Sequence, residues 1–275
     1  MTPAFRPIVD ACLYEASLWR DLAREGDPDR PADDAASILA AMDRTGVSVG
    51  LVVLDRELER IVASAGRQPG RLFGLVYYDA LDPERSFERV RTCCEEHGDM
   101  ILGVATAFPC AGRDPRLRVY APLYEYCVRK ALPLQCRLGG CPPRGEASRP
   151  LAVGVLAGVY PGLTLVCLHD GGDLPHEMPD LLGRFSNLYL ATNDWRSAEP
   201  RRRSGVGSLL AQVGSGRLLF ASGGTPATVA DPLARGAVER VPRRHRENVR
   251  WRTAARVFGP RLLPTDRLAA TPPMR

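Results

Sequence analysis

A chain of 275 residues, 45% of them hydrophobic, has material for one large core and needs no disulfide or metal staple to hold it together. Its eight cysteines contain no Cys-x-x-Cys pair, which excludes a zinc ribbon and a regular disulfide framework. The net charge of +5 comes almost wholly from arginine, Lys130 being the one exception, and it is unevenly spread: residues 201–275 hold 15 Arg against 4 acids, residues 1–100 hold 12 against 19.

The opening "MTPAFRPIVD" has neither a basic n-region nor an apolar h-region, so a cytoplasmic chain with free thiols is expected. From there short apolar runs alternate with longer amphipathic ones, eight times over. The predicted strands are "PIVDACLY" from Pro7, "SVGLVVL" from Ser48, "RLFGLVYY" from Arg71 and "MILGVATA" from Met100. They continue with "LPLQCRL" from Leu132, "LTLVCLH" from Leu163, "NLYLAT" from Asn187 and "RLLFAS" from Arg217.

Helices are predicted between them. "DDAASILAAMDRTG" has an acidic start and Gly46 as its stop, and "DPERSFERVRTCCEEHG" has Pro83 in its first turn. "DPRLRVYAPLYEYCVRKA" at helical spacing places Val119, Leu123, Tyr126 and Cys127 on one face. "RELERIVASAG" follows the second strand, and "HRENVRWRTAARVFG" closes the series. The helices after strands five, six and seven are less marked. Leu151 to Leu168 carries no charge over 18 residues, but Pro161 and Gly162 divide it into a helix, a turn and a strand rather than a membrane span.

Strands apolar on both faces and joined by helices predict a parallel sheet, and eight such units predict a single (β/α)8 barrel over 1–275, with a Pro-rich tail from 259. No glycine-rich phosphate loop follows the first strand, against the open doubly wound alternative. In a closed barrel the Arg-rich stretch 240–256 would lie beside the acidic stretch around Asp27 to Asp34, so the charge asymmetry is read as internal, with neither nucleic acid nor membrane as partner.

The active site of such a barrel lies at the C-terminal ends of its strands. That directs attention to Asp10, Cys12 and Tyr14; Cys110; Cys136 and Arg137; Cys167, His169 and Asp170; Asp194, Trp195 and Arg196; and Ser222, Gly223 and Gly224.

In the order of these segments the chain resembles the amidohydrolase-related TIM-barrel family, proteins similar to aminocarboxymuconate-semialdehyde decarboxylase and related metal-dependent hydrolases. "IVDACLYE" stands where that family has Asp-x-His-x-His. "YPGLTLVCLHDGG" is similar to its Phe-Pro-x-Leu...His-x-Gly-Gly, and "GSGRLLFASGGTP" to its Arg-x-Leu-Phe-Gly-Ser-Asp-x-Pro. The resemblance implies a metal centre whose strand-one histidines fall on Cys12 and Tyr14, whose strand-five histidine falls on Arg137, and whose strand-eight aspartate falls on Gly223 or Gly224. Only His169 matches.

Composition points the same way, because His97 and His245 belong to helices and only His169 and His176 can lie near the mouth. Three functions stay open. One is a ligand-binding barrel that has lost its chemistry, with Cys12, Arg196, Asp170 and Ser222 lining the site. Another is a metal-free hydrolase, lactonase or decarboxylase acting on a small carboxylated substrate, with His169, Arg137, Asp194 and Tyr14 as its catalytic groups. The third is a rewired zinc site of Cys12, His169 and Asp194. The first two expect no cofactor and a small anionic ligand, and the resemblance adds a homodimer.

Overall fold

The computed structural model describes residues 7–14, 35–55, 61, 69–108, 113–138, 150–168, 177–192, 206–222, 238 and 241–262. Eight strands form one parallel sheet in the order β1 to β8. They are β1 Val9–Tyr14, β2 Val49–Leu54, β3 Leu72–Tyr78, β4 Ile101–Thr106, β5 Leu134–Arg137, β6 Leu165–Leu168, β7 Leu188–Thr192 and β8 Leu218–Phe220. All eight predicted runs are strands, each trimmed by a residue or two at its ends. The helices are α1 Ala35–Thr45, α2 Pro83–Glu96, α3 Ala121–Lys130, α4 Pro150–Val159, α5 Glu177–Arg184, α6 Val206–Val213, α7 Arg243–Glu247 and α8 Thr253–Phe258. A π-helical turn, Asn248–Arg252, joins α7 to α8.

Alternation along the strands sorts the side chains into two cores. Val49, Leu51, Val53, Leu75, Val166 and Leu219 pack together inside the barrel, where Val257 and Phe258 of α8 join them. Val52, Leu54, Val104, Leu134, Leu165 and Leu190 turn outward to the helices. Burial on both faces is why these strands read as continuous apolar runs.

Helix boundaries follow from local chemistry. Asp82 caps α2 by accepting the Arg85 N–H at 3.3 Å, and Pro83 fills the first turn, where its missing donor costs nothing. In the α3 segment the helix begins at Ala121, after a 3₁₀ turn at Arg118–Tyr120. Val119 therefore stands 50% exposed instead of on the buried face, and Tyr124 joins Leu123, Tyr126 and Cys127 there. The 18 uncharged residues resolve into α4, a turn at Pro161 and Gly162, and β6. Among the described residues no helix is long and apolar enough to cross a membrane.

The helix predicted at "RELERIVASAG" and the acidic stretch Asp27 to Asp34 lie outside the described residues, Ile61 apart. The arginines of the closing segment are engaged locally. Arg252 pairs with Glu247 at 2.7 Å, and Arg256 donates to the Gly216 carbonyl at 3.3 Å.

Candidate functional site

β1 is irregular where it matters. Asp10 pairs with Gly50 and Leu13 with Val52, so Ala11 and Cys12 together stand opposite Leu51. This bulge breaks the alternation and lets both side chains join the interior core. The Cys12 thiol is fully buried. Its amide donates to Asp10 Oδ1 at 3.1 Å, and the Ser222 amide donates to the same oxygen at 2.9 Å. No β8–β1 ladder is present among the described residues, so Asp10 bridges the seam that the backbone leaves open.

Asp10 is 0% exposed, and its Oδ2 has no hydrogen-bond partner among the described residues. Burial pushes its pKa up to about 6 against the pull of its bonds from Ser222 and Cys12. The carboxyl can therefore carry a proton close to neutral pH.

Across the barrel, β5 turns polar. Leu134, Cys136 and Leu138 pack into the outer core, which puts Gln135 and Arg137 on the inner face. Gln135 Nε2 crosses the interior to donate to the Ala11 carbonyl at 2.8 Å, fixing β5 to the bulge of β1. Its Oε1 is fully buried with no partner among the described residues. Arg137 stands one step nearer the strand's C-terminal end, 3% exposed.

Cys136 and Cys167 sit side by side in register on β5 and β6 but face the helices, so neither belongs to the mouth. Burial raises both thiols, that of Cys136 to about 12. They are packing residues. His245 is likewise structural. Arg244 Nε donates to its Nε2 at 3.0 Å, which leaves Nδ1 as the donor to Ser215 Oγ, also at 3.0 Å. Asn248 Nδ2 donates to the same hydroxyl at 2.8 Å, and Thr253 Oγ1 donates to the Ser215 carbonyl at 3.2 Å. This bracket holds the π-helical turn against the chain that leads into β8.

Of the residues singled out from the sequence, Cys12 and Ser222 are brought together through Asp10, and Arg137 shares the inner face of β5 with the glutamine that reaches β1. Tyr14 ends β1, its side chain outside the described residues. His169, Asp170, Asp194 and Arg196 also lie outside them, as do Cys110, Gly223 and Gly224. Gln135 was not anticipated. Its signal was a polar residue at the alternate position to Arg137 within an otherwise apolar run.

A hard divalent cation needs several oxygen or nitrogen donors. Among the described residues no group of three or more His, Cys, Asp or Glu is placed to hold one. Asp10 has committed one oxygen to two amides, Cys12 offers a soft sulfur, and Arg137 adds a fixed positive charge. The described residues alone supply no complete donor set for a divalent metal; His169 and Asp194, which the rewired zinc site needs, lie outside them.

Comparison with known proteins agrees with the architecture. Among solved structures, an uncharacterized TIM-barrel protein from Bordetella bronchiseptica aligns with a TM-score of 0.69 at 16% identity, covering 93% of this chain and 99% of that one. A dihydroxybenzoic acid decarboxylase from Polaromonas with bound manganese and the inhibitor 2-nitroresorcinol aligns at 0.62 and 18%, covering 92% and 97%. A probable 2-pyrone-4,6-dicarboxylic acid hydrolase from Acinetobacter baumannii with citric acid bound aligns at 0.62 and 11%, covering 91% and 98%. At these identities the likeness is one of fold. No curated protein matches. A family profile described as Amidohydrolase matches residues 12–259, and the chain belongs to that family.

Proposed function

We propose that this amidohydrolase-family barrel binds a small carboxylated ligand at its C-terminal mouth, with Arg137 as the group that receives the carboxylate. The observation that carries this reading is the placement of Arg137, a permanent cation on the inner face of β5 at the end where barrels of this kind bind their ligands. A planar guanidinium meets a carboxylate through two parallel hydrogen bonds, a geometry that neither lysine nor a histidine reproduces. In this reading Asp170, Ser222 and Arg196 complete the lining, and the ligand is bound without turnover. The citrate-bound hydrolase and the benzoate decarboxylases among the structural neighbours give the ligand class a precedent.

A second reading is favoured by Asp10, whose carboxyl titrates near 6 beside Cys12. Here the barrel is a metal-free decarboxylase or hydrolase on the same ligand class, with His169, Asp194 and Tyr14 exchanging protons around a substrate held by Arg137. The manganese in the decarboxylase neighbours supports a third reading, a metal held by Cys12, His169 and Asp194.

One experiment separates the three. Native protein is assayed for bound metal, then screened by thermal shift and for turnover against benzoates, hydroxybenzoates and dicarboxylates, alongside Arg137→Gln. The binding reading expects stabilisation without turnover, lost in Arg137→Gln while that variant stays folded. Turnover that disappears in Arg137→Gln establishes the second reading in its place. One tightly held metal per chain, lost in Cys12→Ser and His169→Ala, overturns both metal-free readings.

A further inference from the structure

Gln135 carries an acceptor that the barrel wall does not use. A carbonyl only accepts, so the bond to the Ala11 carbonyl fixes the carboxamide with Nε2 toward β1 and Oε1 turned the other way. That oxygen is fully buried and has no partner among the described residues. The strands on either side do not supply one. Gln135 stands in register with Ala105 of β4 and Val166 of β6, both apolar members of the interior core. A buried polar oxygen without a donor is rare in a folded protein, and here it marks a place for a donor that arrives from outside the wall. Toward the mouth the wall also becomes lower, as Leu102 gives way to Ala105 on β4 and Leu219 to Ala221 just past β8.

We infer that Gln135 Oε1 is the second anchor of the ligand in the mouth, accepting a hydrogen bond from a hydroxyl or amine that the ligand carries at a distance from its carboxylate. The inference rests on the reading of Arg137 as the carboxylate's receiver, and it narrows the ligand to a two-ended molecule. Spacing sets its length. Gln135 and Arg137 are two residues apart on one face of β5, about 6.5 Å along the strand, so donor and carboxylate stand about 5 to 7 Å apart. Depth sets its orientation. Arg137 is nearer the strand's C-terminal end, so the carboxylate stays toward the mouth and the donor points down the lumen. Chemistry then forbids the reverse, because a guanidinium only donates and a carboxamide oxygen only accepts. A ligand with no second polar group, or with one beside its carboxylate, satisfies Arg137 alone. A second carboxylate in place of the donor would set an anion against an acceptor, which disfavours dicarboxylates.

The three hydroxybenzoate isomers serve as rigid rulers, since each holds the same hydroxyl at a different distance from the carboxylate. Their binding to the full-length protein is measured by isothermal titration calorimetry at pH 7, where the phenols are protonated, beside benzoate, 4-methoxybenzoate and terephthalate. Either 3- or 4-hydroxybenzoate is expected to bind at least about 10-fold tighter than benzoate, and 2-hydroxybenzoate, 4-methoxybenzoate and terephthalate no tighter than benzoate. In Gln135→Met, which keeps the length of the side chain without its polar atoms, the affinity ratio of that isomer to benzoate is expected to fall to about 1. Arg137→Gln reports on the carboxylate end. Carboxylates that bind through Arg137 with no preference for a distal hydroxyl overturn the inference and leave the carboxylate reading standing, with water alone on Oε1. A preference that survives Gln135→Met overturns it in the same way. A panel with no binding that depends on Arg137 overturns both. Should Gln135→Met fail to fold, the wild-type ranking decides, and distal hydroxyls that bind no tighter than benzoate overturn the inference.

Discussion

Asp10 and Ser222 are 212 residues apart in the chain, yet the amide of one donates to the carboxylate of the other at 2.9 Å and thereby joins the first strand to the end of the last. The same Oδ1 also accepts the Cys12 amide, so one buried oxygen holds both the seam and the bulge of β1.

That carboxyl gives the fold a pH dependence of determined sign. With a native pKa near 6 and an unfolded value of 3.8, the folded state binds the extra proton between those limits. The contribution of Asp10 is fully present below pH 4 and is lost as the pH rises through 6, by about 2 to 4 kcal/mol. Asn keeps the accepting oxygen and cannot ionise. Asp10→Asn is therefore expected to gain stability on wild type between pH 4 and 7, measured as the difference in urea unfolding free energy across that range. A difference that does not change with pH would show that Asp10 does not titrate there.

Gln135 offers a complementary test from the opposite wall. Gln135→Glu removes the donor to the Ala11 carbonyl and buries a charge in the barrel interior. A loss of about 2 to 4 kcal/mol at pH 8 is expected. The buried acid has a raised pKa, so stability returns as the pH is lowered toward 5 and the protonated oxygen can donate again. Thermal melts at the two pH values, compared with wild type, check this.

Two glycines of α4 separate packing from helix propensity. A Cβ on Gly154 would stand 2.4 Å from Leu181 Cδ2, whereas one on Gly158 would make an ordinary contact with Phe185 at 3.4 Å. Gly154→Ala is expected to destabilise by about 1 to 2 kcal/mol even after the gain in propensity, and Gly158→Ala to be neutral or to stabilise by up to about 1 kcal/mol. Equilibrium urea denaturation of the two variants reads the contrast.

The buried thiols should be silent in the native state. Burial raises Cys127, Cys136 and Cys167 far above the ordinary thiol range, so little reactive thiolate forms near neutral pH. Iodoacetamide followed by peptide mapping is expected to leave these three unmodified at pH 8 until the protein is unfolded. Prompt labelling of Cys136 in folded protein would place it at the mouth after all.

The strands were legible because each is buried on both faces, and runs such as "SVGLVVL" leave no other use for so many β-branched residues. The start of α3 was not. A helical period extended backward from Leu123 reaches Val119, but the chain there turns as a 3₁₀ segment, and register is lost within three residues. Cys12 and Arg137 could be picked out from their place near strand ends. The part played by Asp10 could not, because its partner is the main chain of Ser222, and an amide carries no signature in a sequence. Gln135 escaped for a related reason. Its bond goes to a carbonyl on a strand 124 positions away, brought close only by closure.

The way the barrel closes also bears on how it is made. β1 leaves the ribosome well before β8, and its outer edge has no neighbour until β8 has been synthesised. During that interval the edge offers unpaired amides and carbonyls to any extended segment nearby. A carboxylate set on that edge keeps a charge exposed to water for as long as the strand waits, and gives it up to burial only when the Ser222 amide arrives. The residue that closes the finished barrel thus also guards the unfinished one.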